Sequence, residues 1–387
     1  MHRLLILLAL ATVALASRTI YYSHPLDPTP PGCTVYSQRF TVCHLDNNSA
    51  PAPAPGGHDA VDQPLIASTD AEDADVISKA VAQSWGQDRV DQRELPLNKQ
   101  YNPDRTGNGA TIWVVSSGID ATVGEVSGRT TNPFSASDPR TDCDGQGTEV
   151  AVTAAGATFG VASAAFLRGV KVLNCNGNGG TGDLVDGLTY ILENPQSRNV
   201  VLIAVSYVGR NSAVEAVIED LLAAGMTVVA EAGDQSTSAC QFFPGAQDGV
   251  ISVTSTTRGD SRYSFANYGS CVTMFAPGSK ITTMTVGGTP VNRTGTRMAA
   301  AHVAGAAAQV LQGNPAFTSV QVLENLMDRA TLNEIGSASG TPNALLFVLQ
   351  NSNPPQGTTS TGTTTGSGAS TLAMNVALAI GVALALL

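Results

Sequence analysis

The stretch "VVLIAVSYVGRNSAVEAVIEDLLAAGMTVVAEAG", residues 200–233, decides the fold. Its first six residues, "VVLIAV", are an unbroken apolar run rich in valine, the composition of a strand buried on both faces. Residues 213–225, "AVEAVIEDLLAAG", switch to helical spacing and end at Gly225, a residue suited to a helix terminus. Residues 227–233, "TVVAEAG", return to a strand pattern. A strand, a covering helix and a second strand of the same kind predict a parallel pair with the helix on one face.

The same alternation extends in both directions. "TIWVV" (111–115), "FLRGVKVL" (166–173) and "VISVTSTT" (250–257) read as strands. "LVDGLTYILEN" (184–194) and "TSVQVLENLMDRA" (318–330) read as helices, the latter with Thr318 and Gln321 in capping-box spacing. Together they predict an α/β fold for residues 85–350: a doubly wound, mainly parallel sheet with helices on both faces. In such sheets the working crevice lies at the carboxyl ends of the strands.

The two ends differ from this middle. Residues 1–16, "MHRLLILLALATVALA", have a basic start at Arg3, an apolar run and small residues at 14 and 16, the pattern of a secretory signal peptide cut after Ala16. Residues 17–84 are proline-rich in "PLDPTPPGC" and "APAPAPGGHD" and read as irregular. Residues 351–371 form a Ser/Thr/Gly-rich stalk, and 372–387 are apolar to the last residue. A polar spacer before a terminal apolar tail matches a GPI-anchor signal, with Ser367 as the attachment site and the outer leaflet of the plasma membrane as the destination.

Composition excludes some functions. The chain of 387 residues carries 20 Lys and Arg against 31 Asp and Glu, a net charge of −11, and no window is strongly basic. Phosphate neutralisation needs clustered cations, so nucleic acid is not an expected partner. Six cysteines in a secreted chain predict disulfides; Cys33 and Cys43 are near enough to close a small loop. Asn47 and Asn292 sit in N-glycosylation sequons.

Several stretches of the middle region, in chain order, resemble the subtilisin-like serine proteases, in particular the proteinase K and aqualysin branch. They are "WGQDRVDQRELPL" (85–97), "GATIWVVSSGID" (109–120), "DGQGTEVAVTAAG" (144–156), "VSYVG" (205–209), "SRYSFANYGSCVTMFAPG" (261–278), "TGTRMAAAHVAG" (294–305) and "GTPNALLF" (340–347). The resemblance implies a subtilisin-like sheet, a peptide cleft bordered by Tyr207, Val208 and Gly209, and disulfides Cys143–Cys175 and Cys240–Cys271, with Cys33–Cys43 left as the third. It also places His302 as a packing histidine. It sets Thr273 where many members carry a calcium-ligating Asp, so no metal is expected there, and no cofactor.

At the positions that carry the family's chemistry this chain departs from the pattern. The resemblance puts the nucleophilic Ser at Arg297, the general-base His at Gln146, the orienting Asp at Ser116 and the oxyanion-hole Asn at Asp234. A guanidinium stays protonated and a carboxamide does not titrate near neutral pH. The expectation from sequence is therefore that the chain is not an enzyme, but an anchored homologue that binds a protein or peptide partner. The alternatives are an active subtilisin-like endopeptidase and a structural surface glycoprotein. A buried Arg297 requires a carboxylate, with Asp234 expected first and Glu149 second.

Overall fold

The computed structural model describes residues 18–22, 33–35, 41–45, 62–66 and 84–349. The expected signal peptide (1–16), stalk (351–371) and anchor tail (372–387), with Asn47 and Ser367, lie outside the described residues.

The segment expected to be irregular contains a sheet. Strands β1 (Arg18–Tyr22), β2 (Cys33–Val35) and β3 (Thr41–Leu45) pair antiparallel in the order β1-β3-β2. Cys33 stands directly opposite Cys43 in that register. The prolines drew the reading away from it: β1 and β3 lie outside the proline-rich stretches, and β2 starts only at the last residue of "PLDPTPPGC".

The main body starts with helix α1 (Trp85–Val90), capped by the Ser84 hydroxyl. Strand β4 (Thr111–Ser116) is buried along its whole length, and β5 (Thr130–Ser135), with Pro133 inside it, follows. Then come α2 (Gln146–Ala155), β6 (Phe166–Lys171), α3 (Thr181–Glu193), β7 (Asn199–Ile203), the short β8 (Tyr207–Val208) and α4 (Ser212–Ala223). Strands β9 (Thr227–Glu231), β10 (Phe242–Phe243), β11 (Ile251–Thr256) and β12 (Met274–Pro277) lead to a hairpin of β13 (Ile281–Met284) and β14 (Pro290–Arg293). Helices α5 (Thr296–Gly313) and α6 (Ser319–Arg329) and the short strands β15 (Thr331–Leu332) and β16 (Ala344–Leu345) complete it.

Nine strands form one sheet in the order β15-β16-β12-β11-β9-β7-β4-β6-β5. Every neighbouring pair is parallel except β15 with β16. Strand β5 sits at the edge, where a proline costs no ladder bond. One face is covered by α2, α5 and α6 through Val150, Ala154, Met298, Val303, Val322 and Leu326; the other by α3 and α4 through Leu184, Leu188, Val217 and Leu221. This is the doubly wound α/β arrangement expected from residues 200–233.

Helix α5 runs through the interior. Every residue from Thr296 to Leu311 is buried, as alanine and glycine in most of its turns allow. Among the described residues, no helix is long and apolar enough to cross a membrane.

Candidate functional site

The chain reverses its direction of sheet growth beside β4, whose neighbours are β6 on one side and β7 on the other. That switch opens a crevice at the carboxyl ends of β4 and β7. Ser116 is the last residue of β4, and Ala204 follows the last residue of β7. The first residue of α2, Gln146, reaches into the gap. Its Nε2 donates to Ser116 Oγ at 3.0 Å and to the Ala204 carbonyl at 2.9 Å. Both side chains are buried. The structure thus brings together Ser116 and Gln146, which lie thirty residues apart in the chain.

The start of α2 is fastened from outside the helix. Its N-cap, Gly145, adopts a φ of 110° and has no side chain to offer. Asp142 substitutes for it. Asp142 Oδ1 accepts from the backbone N–H groups of Asp144 and Gly145 and from Ser117 Oγ, while Oδ2 accepts from the N–H and hydroxyl of Thr148. Gly147 is required by close approach: a Cβ there would stand 1.9 Å from the Gly118 carbonyl oxygen. Asp142 was not singled out by its sequence. Its signal was an acidic residue just ahead of a helix start, which is a common pattern and carries no chemistry by itself.

Arg297 is the second residue of α5, and its side chain is 1% exposed. Its Nη2 lies 4.0 Å from Glu149 Oε2, the second of the two carboxylates expected for it. The other oxygen of Glu149 pairs with Arg293 Nη2 at 2.9 Å, so one buried carboxylate faces two guanidinium groups. Asp234, the other carboxylate expected, receives the Thr296 N–H at 3.0 Å and the Thr296 hydroxyl at 3.3 Å, holding the first turn of α5. Burial raises the Asp144 carboxyl above its ordinary range, partly offset by the nearby charges of Arg297 and Lys171.

The remaining sequence-derived residues fall as follows. Tyr207 does not project into the cleft. Its ring is buried against Phe243, 6.2 Å between centroids, and burial pushes its hydroxyl upward in pKa. Of the residues expected to border the cleft, alternation in β8 turns Tyr207 inward and leaves Val208 exposed. Gly209 has a φ of 84° and donates its N–H to the Gln241 carbonyl. His302 is fully buried, its Nδ1 bonded to the Met298 carbonyl at 2.8 Å, and desolvation lowers its pKa to about 4. Thr273 Oγ1 accepts the Ser252 N–H. Asn292, on β14, accepts from the Thr282 hydroxyl. Disulfides Cys143–Cys175 and Cys240–Cys271 are formed.

Two features were missed entirely. Glu231, at the end of β9, is buried and accepts from Ser206 Oγ at 3.1 Å. More consequential is the segment Asp62–Ile66, which lies between Gly179–Thr181 and Ser206 as an added strand. Pro64 bridges Gly180 and Ile66 bridges Ser206, both antiparallel.

Comparison with known proteins gives the same picture. Residues 107–362 match the Subtilase family model, Peptidase_S8. The "Extracellular serine proteinase" of Thermus sp. (strain Rt41A) is 38% identical over 270 residues, covering 68% of this chain and 66% of that protein. The "Alkaline serine exoprotease A" of Vibrio alginolyticus is 34% identical over 287 residues, 73% of this chain and 52% of that one. The chain therefore spans less than two thirds of the length of both. The "Subtilisin-like serine protease AsES" of Sarocladium strictum is 34% identical, with 70% of each chain covered. A crystal structure of a cold-adapted subtilisin-like serine proteinase superposes with a TM-score of 0.68 at 35% identity, covering 70% of this chain and 100% of that one.

These relatives correct one expectation. The view that the chain is no enzyme rested only on Ser116, Gln146, Arg297 and Asp234, while the proteins it matches across this very region are named serine proteinases. Sheet order, crevice and the run of matched sequence agree, and the chain belongs to the subtilase family of subtilisin-like serine proteases.

Proposed function

We propose that this protein acts outside the cell on polypeptides, held extended in the crevice at the carboxyl ends of β4 and β7, with peptide-bond hydrolysis as the reaction class. The observation that carries the reading is the crevice: it pairs with an extended segment of chain on two sides, through Gly179–Thr181 and through Ser206. Main-chain pairing of this kind binds peptides with little dependence on sequence. The relatives' names supply the reaction class. Any hydrolysis by this chain draws its attacking group from somewhere other than residue 297, because a guanidinium stays protonated and cannot attack a carbonyl.

The test is a digestion. Protein released from the cell surface is incubated with denatured casein and a peptide library, and new termini are read by mass spectrometry between pH 5 and 10. New termini in proportion to protein added are expected. Their absence across that range overturns the hydrolytic reading, and failure of immobilised protein to retain extended peptides overturns the crevice as a polypeptide site.

The location belongs to the same proposal. The pattern of residues 1–16 supports secretion, and one relative is itself named extracellular. The stalk and apolar tail support attachment at Ser367 through a GPI anchor. Release of the protein from intact cells by phosphoinositide-specific phospholipase is the expected result; retention on the cells overturns the anchor.

A further inference from the structure

The disulfide Cys143–Cys175 ties the start of α2 to the segment after β6. Cys143 stands three residues before Gln146, and Asp142 beside it holds the first turn of α2. Cys175 lies in the turn closed by the Asn174 N–H on the Asn178 carbonyl at 2.8 Å, just ahead of α3. The two ends are unequal in access: Cys175 is exposed and Cys143 is half-buried. A thiol arriving from solvent therefore meets the Cys175 sulfur first, and access is one of the factors that decide which sulfur of a disulfide is attacked.

Lys171 makes the two sulfurs unequal in chemistry as well. It is the last residue of β6 and is fully buried. Its Nζ donates to the Ser117 carbonyl at 2.8 Å and to Cys143 Sγ at 3.5 Å. A disulfide sulfur is a weak acceptor, so a buried ammonium gains little from it. A thiolate in the same place is a full counter-charge, and a neighbouring lysine is among the groups that stabilise one. Burial lowers the Lys171 pKa, and the charges of Asp142 and Asp144 oppose that shift. Asp142 competes little for the ammonium, because its oxygens accept from Ser117 Oγ, from Thr148 Oγ1 and from the N–H groups of Asp144, Gly145 and Thr148. At the other described disulfide, Cys240 Sγ faces the neutral Ser270 hydroxyl at 3.9 Å.

We propose that Cys143–Cys175 is an exchange site for small thiols, with Cys175 the sulfur attacked and Cys143 the leaving group, and that its opening loosens the start of α2. The thiolate of the incoming molecule forms a new S–S bond with Cys175 Sγ. The Cys143–Cys175 bond breaks, and its electron pair goes to Cys143 Sγ, which leaves as a thiolate beside the Lys171 ammonium. One disulfide is consumed and one is formed, so no outside oxidant is required. A second thiol that attacks the small-molecule sulfur of the mixed disulfide releases a small-molecule disulfide and leaves both cysteines reduced. The proposal holds whether or not the crevice cuts peptides.

The experiment uses the full-length protein with reduced glutathione as the probe, near neutral pH and at early times. Free thiols are trapped with N-ethylmaleimide and every cysteine is mapped by mass spectrometry. Cys143–Cys175 is expected to open at least about tenfold faster than Cys240–Cys271, with glutathione on Cys175 and N-ethylmaleimide on Cys143. Amide exchange at Gly145 and Thr148, whose N–H groups Asp142 holds, rises in the opened protein. Lys171→Met slows the opening of Cys143–Cys175 by at least about tenfold and leaves that of Cys240–Cys271 unchanged. Lys171→Arg restores most of the rate, because it returns the charge. Equal rates at the two disulfides of the native protein, or glutathione on Cys143, overturn the exchange site whatever the variants do. A folded Lys171→Met protein that opens as fast as the native one overturns the role of Lys171. Unchanged amide exchange overturns the link to the start of α2.

Discussion

At the residue scale the unusual feature is a full positive charge buried at the head of α5. Removing a charge's partner in such a place is expensive, because the remaining ion has neither water nor counterion. Glu149 faces both Arg297 and Arg293, so Glu149→Gln is predicted to cost about 3 kcal/mol of unfolding free energy. Adding Arg297→Met to it recovers part of that loss, since the double variant no longer buries the stranded guanidinium. Urea denaturation of the four proteins checks this, and strictly additive losses would show that Glu149 and Arg297 are not coupled. Sequence identified Arg297, Gln146, Ser116 and Asp234 as the positions to examine, because each falls inside a recognisable local motif. It did not identify Asp142, Glu231 or Asp62. Their roles depend on partners that come close only when the sheet assembles, and Asp62 and Gly182 are separated by 120 residues.

At the element scale, α5 explains much of the acid response to be expected. A helix buried all round must keep its polar groups uncharged or paired, and His302 is held neutral with a pKa near 4 against 6.5 in the unfolded chain. A base whose folded pKa is depressed contributes stability in full above 6.5. That contribution is lost as pH falls from 6.5 toward 4, because only the unfolded chain gains the proton over that span. The loss is on the order of 3 kcal/mol. His302→Gln is predicted to be less stable at neutral pH and to show a flatter decline between pH 6.5 and 4 by about one proton. Calorimetry at several pH values reads this, and an unchanged slope would mean that His302 takes up its proton in the folded protein. The elements that sequence revealed were the uniformly apolar strands and the helices with strong termini, such as α6, whose Thr318–Gln321 capping box is formed. The ones it missed, β5 with its proline and the strap at 62–66, carry no period of their own and exist because of the edges they pair with.

At the scale of the whole molecule, a doubly wound sheet sets a single crevice at its switch point, and the start of α2 and the head of α5 deliver residues 146 and 297 to that end of the sheet. The α/β class was legible from residues 200–233 because both faces of a parallel sheet are covered, which makes its strands uniformly apolar. Sheet order was not legible, since β4 pairs with β6 and β7, both later in the chain, and not with β5, which follows it directly. The resemblance sets Ser116, Gln146, Asp234 and Arg297 at the family's chemical positions, and the account's central claim is that the crevice around them is sound. The most direct measurement is the rate of peptide cleavage by native protein beside the variant Ser116→Asp, Gln146→His, Asp234→Asn, Arg297→Ser, at equal concentration and with folding checked by circular dichroism. The account predicts that the variant cleaves at least about a hundredfold faster, since an assembled nucleophile, base and oxyanion donor each contribute on that order or more. A folded variant that cleaves no faster than the native protein would contradict it.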